Sequence, residues 1–396
     1  MPQTKPTTPG QRIRGLRLRR GYKQAELAEL AGVSVDLVSA LERDVRKGMS
    51  WASMVKLARA LDVDPGVIAG KGSYLEPVPG AAALAVRDAV INPGLLPKMS
   101  PEGGQEQPDT AELWRRVESG YGAYFGGEFG VLAADLPDLI HRCRVLHSAE
   151  RAAGAAVLAH AWQLAACVLV HTGRDDAAAI AAERAISVGQ TGDDPYRLAT
   201  MYGTYSWVML HQGRLAEAEE IAIRTAEEIE PTMSRAVPNQ LTAWGGLVLN
   251  AAVACGARGD RAQAEEYLSV ARAGAARVGA DRHDYWVSFG PSHVGVQTTH
   301  IMTALNRPDV ALKASGTVRR EDLLPVQWGR HRLNDARALL ELHKSDAAEE
   351  AAAEAKAVSA EWFRHQGFAR SVVDDLVDHR QRLSASLRDL VSVFEG

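Results

Sequence analysis

Cysteine is scarce in this chain: Cys143, Cys167 and Cys255 are the only three in 396 residues, and they lie far apart. That excludes a disulfide-stapled scaffold and any paired-cysteine metal module, and it points to buried thiols in a reducing compartment. The first ten residues, MPQTKPTTPG, lack the apolar core of a signal peptide. No GxGxxG, P-loop, HExxH or nucleophile elbow occurs, so the common phosphate-binding and hydrolytic chemistries have no motif to rest on. In HRCRVLH, His141 and Cys143 cannot share a helix face; only Cys143 and His147 stand one turn apart. Two potential ligands make no site, so neither a metal nor a cofactor is expected. Runs of alternating β-branched residues are missing as well, which leaves no sheet to predict.

Two stretches, 152–173 and 236–257, carry no fixed charge and are long enough to cross a membrane. His160 and Gln163 interrupt the first; Asn239, Gln240 and Asn250 interrupt the second. Both read better as buried helices of an all-α protein, and no membrane partner is expected. Charge is unevenly shared. Residues 1–73 hold 13 Lys/Arg against 7 Asp/Glu, while the remainder holds 32 against 42. A basic module on an acidic body is the layout expected where one end meets a polyanion.

The basic part has a pattern of its own. QRIRGLRLRRG sets Ile13 and Leu16 on one face, with Gly21 where a helix would end; KQAELAELAG follows with Leu27, Ala28, Leu30 and Ala31 at helical spacing. Ala28 is small enough for a close helix crossing, Gly32 permits a left-handed turn, and Ser34 is a natural N-cap for a helix burying Val38 and Leu41. A further amphipathic helix, SWASMVKLARALDV, and a short one after Asp64-Pro65 complete a five-helix unit.

Residues 11–70, with KQAELAELAGVS and the closing LARALDV, resemble the Xre/λ-repressor-type helix-turn-helix domain. The resemblance implies that Gln24, first in its helix, hydrogen-bonds a phosphate. It also implies that Ser34, Val35, Asp36 and Ser39 face the major groove. Phosphate contacts supply most affinity, and Arg12, Arg14, Arg17, Arg19, Arg20, Lys23, Arg43, Arg46 and Lys47 surround the reading helix. That helix carries no Arg, Lys, Asn or Gln, yet Val35 can meet a thymine methyl and Asp36 can accept from cytosine N4.

Residues 74–110 are rich in proline and glycine and read as a linker, with room for one short helix from Ala81 to Val90. From Ala111 helical periodicity resumes and runs nearly to the end. Within it Gly173, Gly213, Gly259, Asn306 and His343 serve as anchors of a repeat spaced 40, 46, 47 and 37 residues apart. Five residues after each stands alanine (Ala178, Ala218, Ala264, Ala311, Ala348). Seven before stand Ala166, Ser206, Ala252, Thr299 and Ala336; twelve after stand Ala185, Thr225, Ala271, Val318 and Ala355. Small residues at fixed offsets are what paired helices need to cross closely.

HQGRLAEAEE and ARGDRAQAEE make this pattern similar to tetratricopeptide repeats, in a degenerate version with periods above the usual value of about 34. The implied fold is all-α: a five-helix λ-repressor-like domain (1–73), a linker (74–110) and a tetratricopeptide-like α-solenoid (111–396), its last 30 residues a capping or dimerising helix. Nine residues before the anchors stand Leu164, Thr204, Asn250, Gln297 and Asn334. In tetratricopeptide families this column lines the inner groove, with same-face neighbours here including Trp207, His293, His300, Arg330 and Arg337. Amides suit a peptide backbone and arginines a carboxylate.

The layout is similar to that of peptide-sensing RRNPP-type regulators and of actinomycete helix-turn-helix/repeat regulators. The expectation is a cytoplasmic, nucleoid-associated, homodimeric transcription regulator on an inverted-repeat operator, with a signalling peptide or a partner protein in the repeat groove. The alternative is a DNA-associated scaffold whose repeats bind a partner protein. An enzyme with a nonstandard site stands third.

Overall fold

The structure is a computed structural model that describes residues 8–20, 22–46, 49–61, 63, 68, 81–91, 108–378, 380 and 382–394. One compact unit ends at Pro79 and a second begins at Gly80.

In the first unit, α1 (Pro9–Arg19) starts in a capping box: the Thr8 hydroxyl accepts from Gln11 N at 3.2 Å, and the Gln11 side chain returns to Thr8 N. Helix α2 (Gln24–Ala31) stops at Gly32, whose φ of 58° is left-handed. Helix α3 (Val35–Glu42) is capped by Ser34, which accepts from Leu37 N at 3.2 Å, and α4 (Trp51–Ala60) by Ser50. Ile13, Leu16, Leu27, Ala28, Val38, Leu41, Leu57 and Leu61 form the core. Each large aliphatic side chain buried this way stabilises by about 1.5–3 kcal/mol. The α1–α3 crossing depends on Gly10: a Cβ there would sit 1.8 Å from the Leu41 carbonyl oxygen. Of the short helix expected after Asp64-Pro65, only Ile68, helical and buried, lies within the described residues; Gly21 lies outside them.

The second unit opens with α5 (Ala81–Ile91), in the stretch read as a linker; the remainder of that linker up to Gln107 lies outside the described residues. Helices α6 (Thr110–Gly126), α7 (Phe129–Ala149), α8 (Arg151–His171), α9 (Asp175–Gly189), α10 (Pro195–His211) and α11 (Leu215–Glu228) follow. Then come α12 (Pro238–Arg258), α13 (Arg261–Val278), α14 (Pro291–Ala304), α15 (Pro308–Ser315), α16 (Pro325–Glu341) and α17 (Ser345–Val358). Helices α18 (Ala360–His365), α19 (Gly367–Asp378) and α20 (Ala385–Ser392) end the chain and pack on α16 and α17. Helix α5 docks on α7, α8 and α9 through Val86, Ala89 and Val90, and Arg184 donates to the Val90 carbonyl. Among the described helices, Arg151–His171 alone is long and apolar enough to cross a membrane, and most of it is buried inside this unit.

All five repeat anchors have left-handed φ, between 58° and 86°. At each, the N–H of the next residue reaches back to the carbonyl five residues earlier: Arg174 to Leu169, Arg214 to Met209, Asp260 to Cys255, Arg307 to Met302 and Lys344 to Leu339. One helix-ending motif is thus used five times. The alanines at offset +5 and the small residues at −7 are fully buried at every repeat. Val318 departs from its column because α15 has already ended at Ser315. First helices of neighbouring pairs touch (α6–α8, α8–α10, α14–α16), giving an inner row of helices.

That row closes on itself. Helix α6 packs against α16; the Ser359 hydroxyl donates to Gly127 O at 2.9 Å, and Glu361 accepts from Gly130 N at 2.7 Å. Gly127, with φ 79°, leaves no room for a Cβ beside Ser359 and Trp362. A two-stranded antiparallel hairpin, β1 (Arg282–Asp284) and β2 (Val287–Phe289), is the one sheet among the described residues. The sequence reading missed it because its strands are three residues long and its turn is Tyr285-Trp286 rather than Asn-Gly.

Candidate functional site

The exposed face of α3 begins where the helix does. Ser34, Val35 and Asp36 are exposed and Ser39 half-buried, on a helix whose opposite face (Val38, Leu41, Glu42) is sealed in the core. Arg43 and Arg46 are exposed just beyond it, and Arg43 Nε folds back on Ser39 O at 3.2 Å. Lys47 and the Arg19 side chain lie outside the described residues.

Three residues expected to contact phosphate have hydrogen-bond partners within the unit. Arg17 is buried, with Nε and Nη2 donating to Glu42 at 2.6 and 2.7 Å, and Nη1 donating to Tyr22 O at 2.7 Å. Gln24 Nε2 donates to the same carboxylate at 2.8 Å, so its amide braces α2 on α3 and keeps one further N–H. Arg12 Nε donates to Ile68 O at 2.8 Å. Burial opposes the charged form of Glu42, but the hydrogen bonds from Arg17 and Gln24 outweigh it and hold its pKa below the ordinary 4.5. The sequence showed Glu42 only as an acidic residue ending a reading helix; its partner stands 25 positions away.

Residues 10–69 match the family model described as a helix-turn-helix domain. Two curated relatives, each an "HTH-type transcriptional regulator SinR", from Bacillus subtilis (strain 168) and Bacillus licheniformis, are 41% identical over 54 residues. The alignment covers 14% of this chain and 49% of each relative, so the chain spans about half the length of the curated relatives it matches. The family-model match lies in the first unit.

In the second unit the structure brings together Thr204, Trp207, Asn250, His293 and Gln297. They line a chamber of about 170 Å³ with Tyr121, Tyr124, Phe125, Gln163, Trp286 and Ser288. Leu164, from the same sequence column, is fully buried. Several of these polar groups are partly spent: Thr204 accepts from Gln163 Nε2 at 2.8 Å, and Asn250 Nδ2 donates to Gly203 O at 2.9 Å. His300 Nδ1 lies 3.2 Å from Asn334 Oδ1, one turn beyond Gln297 on α14. Burial pushes His293 and His300 down to about 4, with the charge of Arg330 adding to the effect at His300, so both are neutral at pH 7.

Arg337 is not among the residues that line the chamber. It pairs with Asp375 and donates to the Ser371 hydroxyl at 2.7 Å, because α19 packs along that side of α16. Arg330 stands over the Phe368 ring, 4.7 Å from its centroid.

The hairpin crosses the inner face where an open groove was expected. The Trp286 ring stacks on Tyr121 at 4.2 Å and 7°, and the Tyr285 hydroxyl donates to Asp194 at 2.8 Å and accepts from Asn239 at 3.0 Å. One sequence signal for it existed. Gly245-Gly246 stands inside the long helix α12, where each glycine costs about 1 kcal/mol relative to alanine. A Cβ on Gly245 would lie 2.2 Å from Phe289, and one on Gly246 2.5 Å from Val287.

Proposed function

We propose that the chain is a DNA-binding transcription regulator, in which the basic unit reads an operator through α3 and the tetratricopeptide-like helical unit senses a ligand. The observation that carries the reading is the capped α3, with Ser34, Val35 and Asp36 exposed on one face, on a unit matched over 10–69 by the helix-turn-helix model. Binding takes place as a homodimer on an inverted repeat in the cytoplasm, with half-sites roughly 34–36 Å apart, since one such unit covers too few base pairs to be selective. The assigned roles are phosphate contact for Arg43, Arg46 and Lys47, and base readout for Val35, Asp36 and Ser39. No catalysis is assigned. The closed row of helices and the small chamber favour a small ligand over the tail of a folded partner.

The test is a salt titration of binding to a selected operator. Arg43→Ala should weaken binding to all sequences alike and lower the slope of log K against log salt by about 1, whereas Asp36→Ala should alter preference at a single base position. Identical uniform losses for both variants would mean that α3 is not the reading helix.

A further inference from the structure

Arg330 is a half-buried cation on α16 for which no carboxylate among the described residues serves as partner; the Phe368 ring lies against it. Arg337, two turns along the same helix, is by contrast fully engaged by Asp375 and Ser371. One turn from Arg330, Asn334 is 1% exposed; its Oδ1 is taken by His300, and its Nδ2 is buried without a partner. His293 Nδ1 is buried without a partner as well. His293, Gln297 and His300 recur at i, i+4 and i+7 on α14; the first two line the chamber, and the third, one turn further along the same face, meets Asn334 of α16.

Resting on the reading of the helical unit as a sensor, we propose that this interior binds a small organic acid: one carboxylate held by Arg330 and the Asn334 amide, and an aromatic body among the rings around Tyr121. A half-buried guanidinium without a counter-charge and an unpaired buried amide donor are each costly until an acceptor arrives, and a carboxylate satisfies both. The wall holds one cation and two neutral histidines, which matches a monoanion; a phosphate dianion would bring a second charge with nothing to balance it.

The aromatic place is at present filled by the chain itself. Trp286 lies flat on Tyr121, at the tip of a hairpin whose two turn residues, Tyr285 and Trp286, have φ of 51° and 66°. Two consecutive bulky aromatics in the left-handed region are strained. The docked tip is therefore held by its contacts against its own backbone preference, and an aryl acid displaces Trp286 from Tyr121.

The experiment uses the full chain and ligand-observed NMR titrations with phenylacetate, its neutral isostere phenylacetamide, and N-acetyl-L-phenylalanine. Phenylacetate should bind saturably and about 10-fold or more tighter than the amide, the value of a charge-assisted pair. Arg330→Met should erase that preference. Asn334→Asp, which supplies an internal carboxylate beside Arg330, should do the same even if Arg330→Met proves unstable. Binding of N-acetylphenylalanine would identify the source as a peptide terminus, and its exclusion a free acid; either supports the site. No saturable binding of either acid, or an acid preference that survives in a folded Arg330→Met or Asn334→Asp variant, would overturn it. DNA binding measured on the same samples separates the two readings: absent DNA binding with intact acid recognition would refute the regulator, and the reverse would refute only this site.

Discussion

Glu42→Ala is the substitution with the largest worked consequence. The carboxylate it removes accepts three hydrogen bonds, two from Arg17 at 2.6 and 2.7 Å and one from Gln24 at 2.8 Å, and the side chains of Arg17 and Glu42 are 9% and 2% exposed. Without it the buried guanidinium keeps, among the described residues, the Tyr22 carbonyl alone, and the Gln24 amide loses this acceptor. Removing one partner of a buried pair costs about 3–5 kcal/mol. A unit of some 60 residues is stable by roughly 3–9 kcal/mol in all. The variant should thus lose most of the stability of the first unit while leaving the second untouched.

Hydrogen exchange on the full chain reads this directly. Amides of α1–α4 should exchange faster by about two to four powers of ten, with α8–α17 unchanged as an internal control. Replacing both partners by methionine should recover much of the loss, since no unpaired charge is then left behind. The sign with pH follows from the depressed carboxyl. Its contribution is fully present above the ordinary value of 4.5 and is lost as pH falls through the lowered one, so protection of α1–α4, corrected for intrinsic rates, should drop below that point. If Glu42→Ala exchanged within about 5-fold of wild type, equivalent to about 1 kcal/mol, the pair would be a bystander to the stability of this unit.

The helical unit should be acid-labile in a different window. His160, His293 and His300 are held near 4 by burial, against an ordinary 6.5, so the unfolded chain takes up protons between those values that the folded chain refuses. Its thermal midpoint should fall steadily from about pH 6.5 to about pH 4; a flat profile would contradict the burial. Gly245→Ala drives a Cβ into Phe289. It should cost about 1–3 kcal/mol by overpacking, and alter the near-ultraviolet circular dichroism of the Trp286–Tyr121 stack. An unchanged spectrum and midpoint would show that the hairpin yields freely.

What the sequence determined by itself was local. Caps at Ser34 and Ser50, the left-handed turn at Gly32 and the five anchor turns were legible because each is set by residues within about one helical turn of one another. The small-residue columns were legible for a related reason: a close crossing between adjacent helices leaves its mark at a fixed offset on both. Five of the expected inner-face residues accordingly reached the chamber. Tertiary structure decided everything that joins distant positions. Arg17, read as one more surface arginine, was drawn inward by a carboxylate 25 residues on, and Arg337 was claimed by a helix 38 residues on. Whether the inner face would be an open groove depended on bonds such as Gly130 to Glu361, 231 residues apart. Burial, counter-charges and the path of the hairpin depend on which surfaces meet. Curvature accumulated over a dozen helices fixes that, and no local pattern records it.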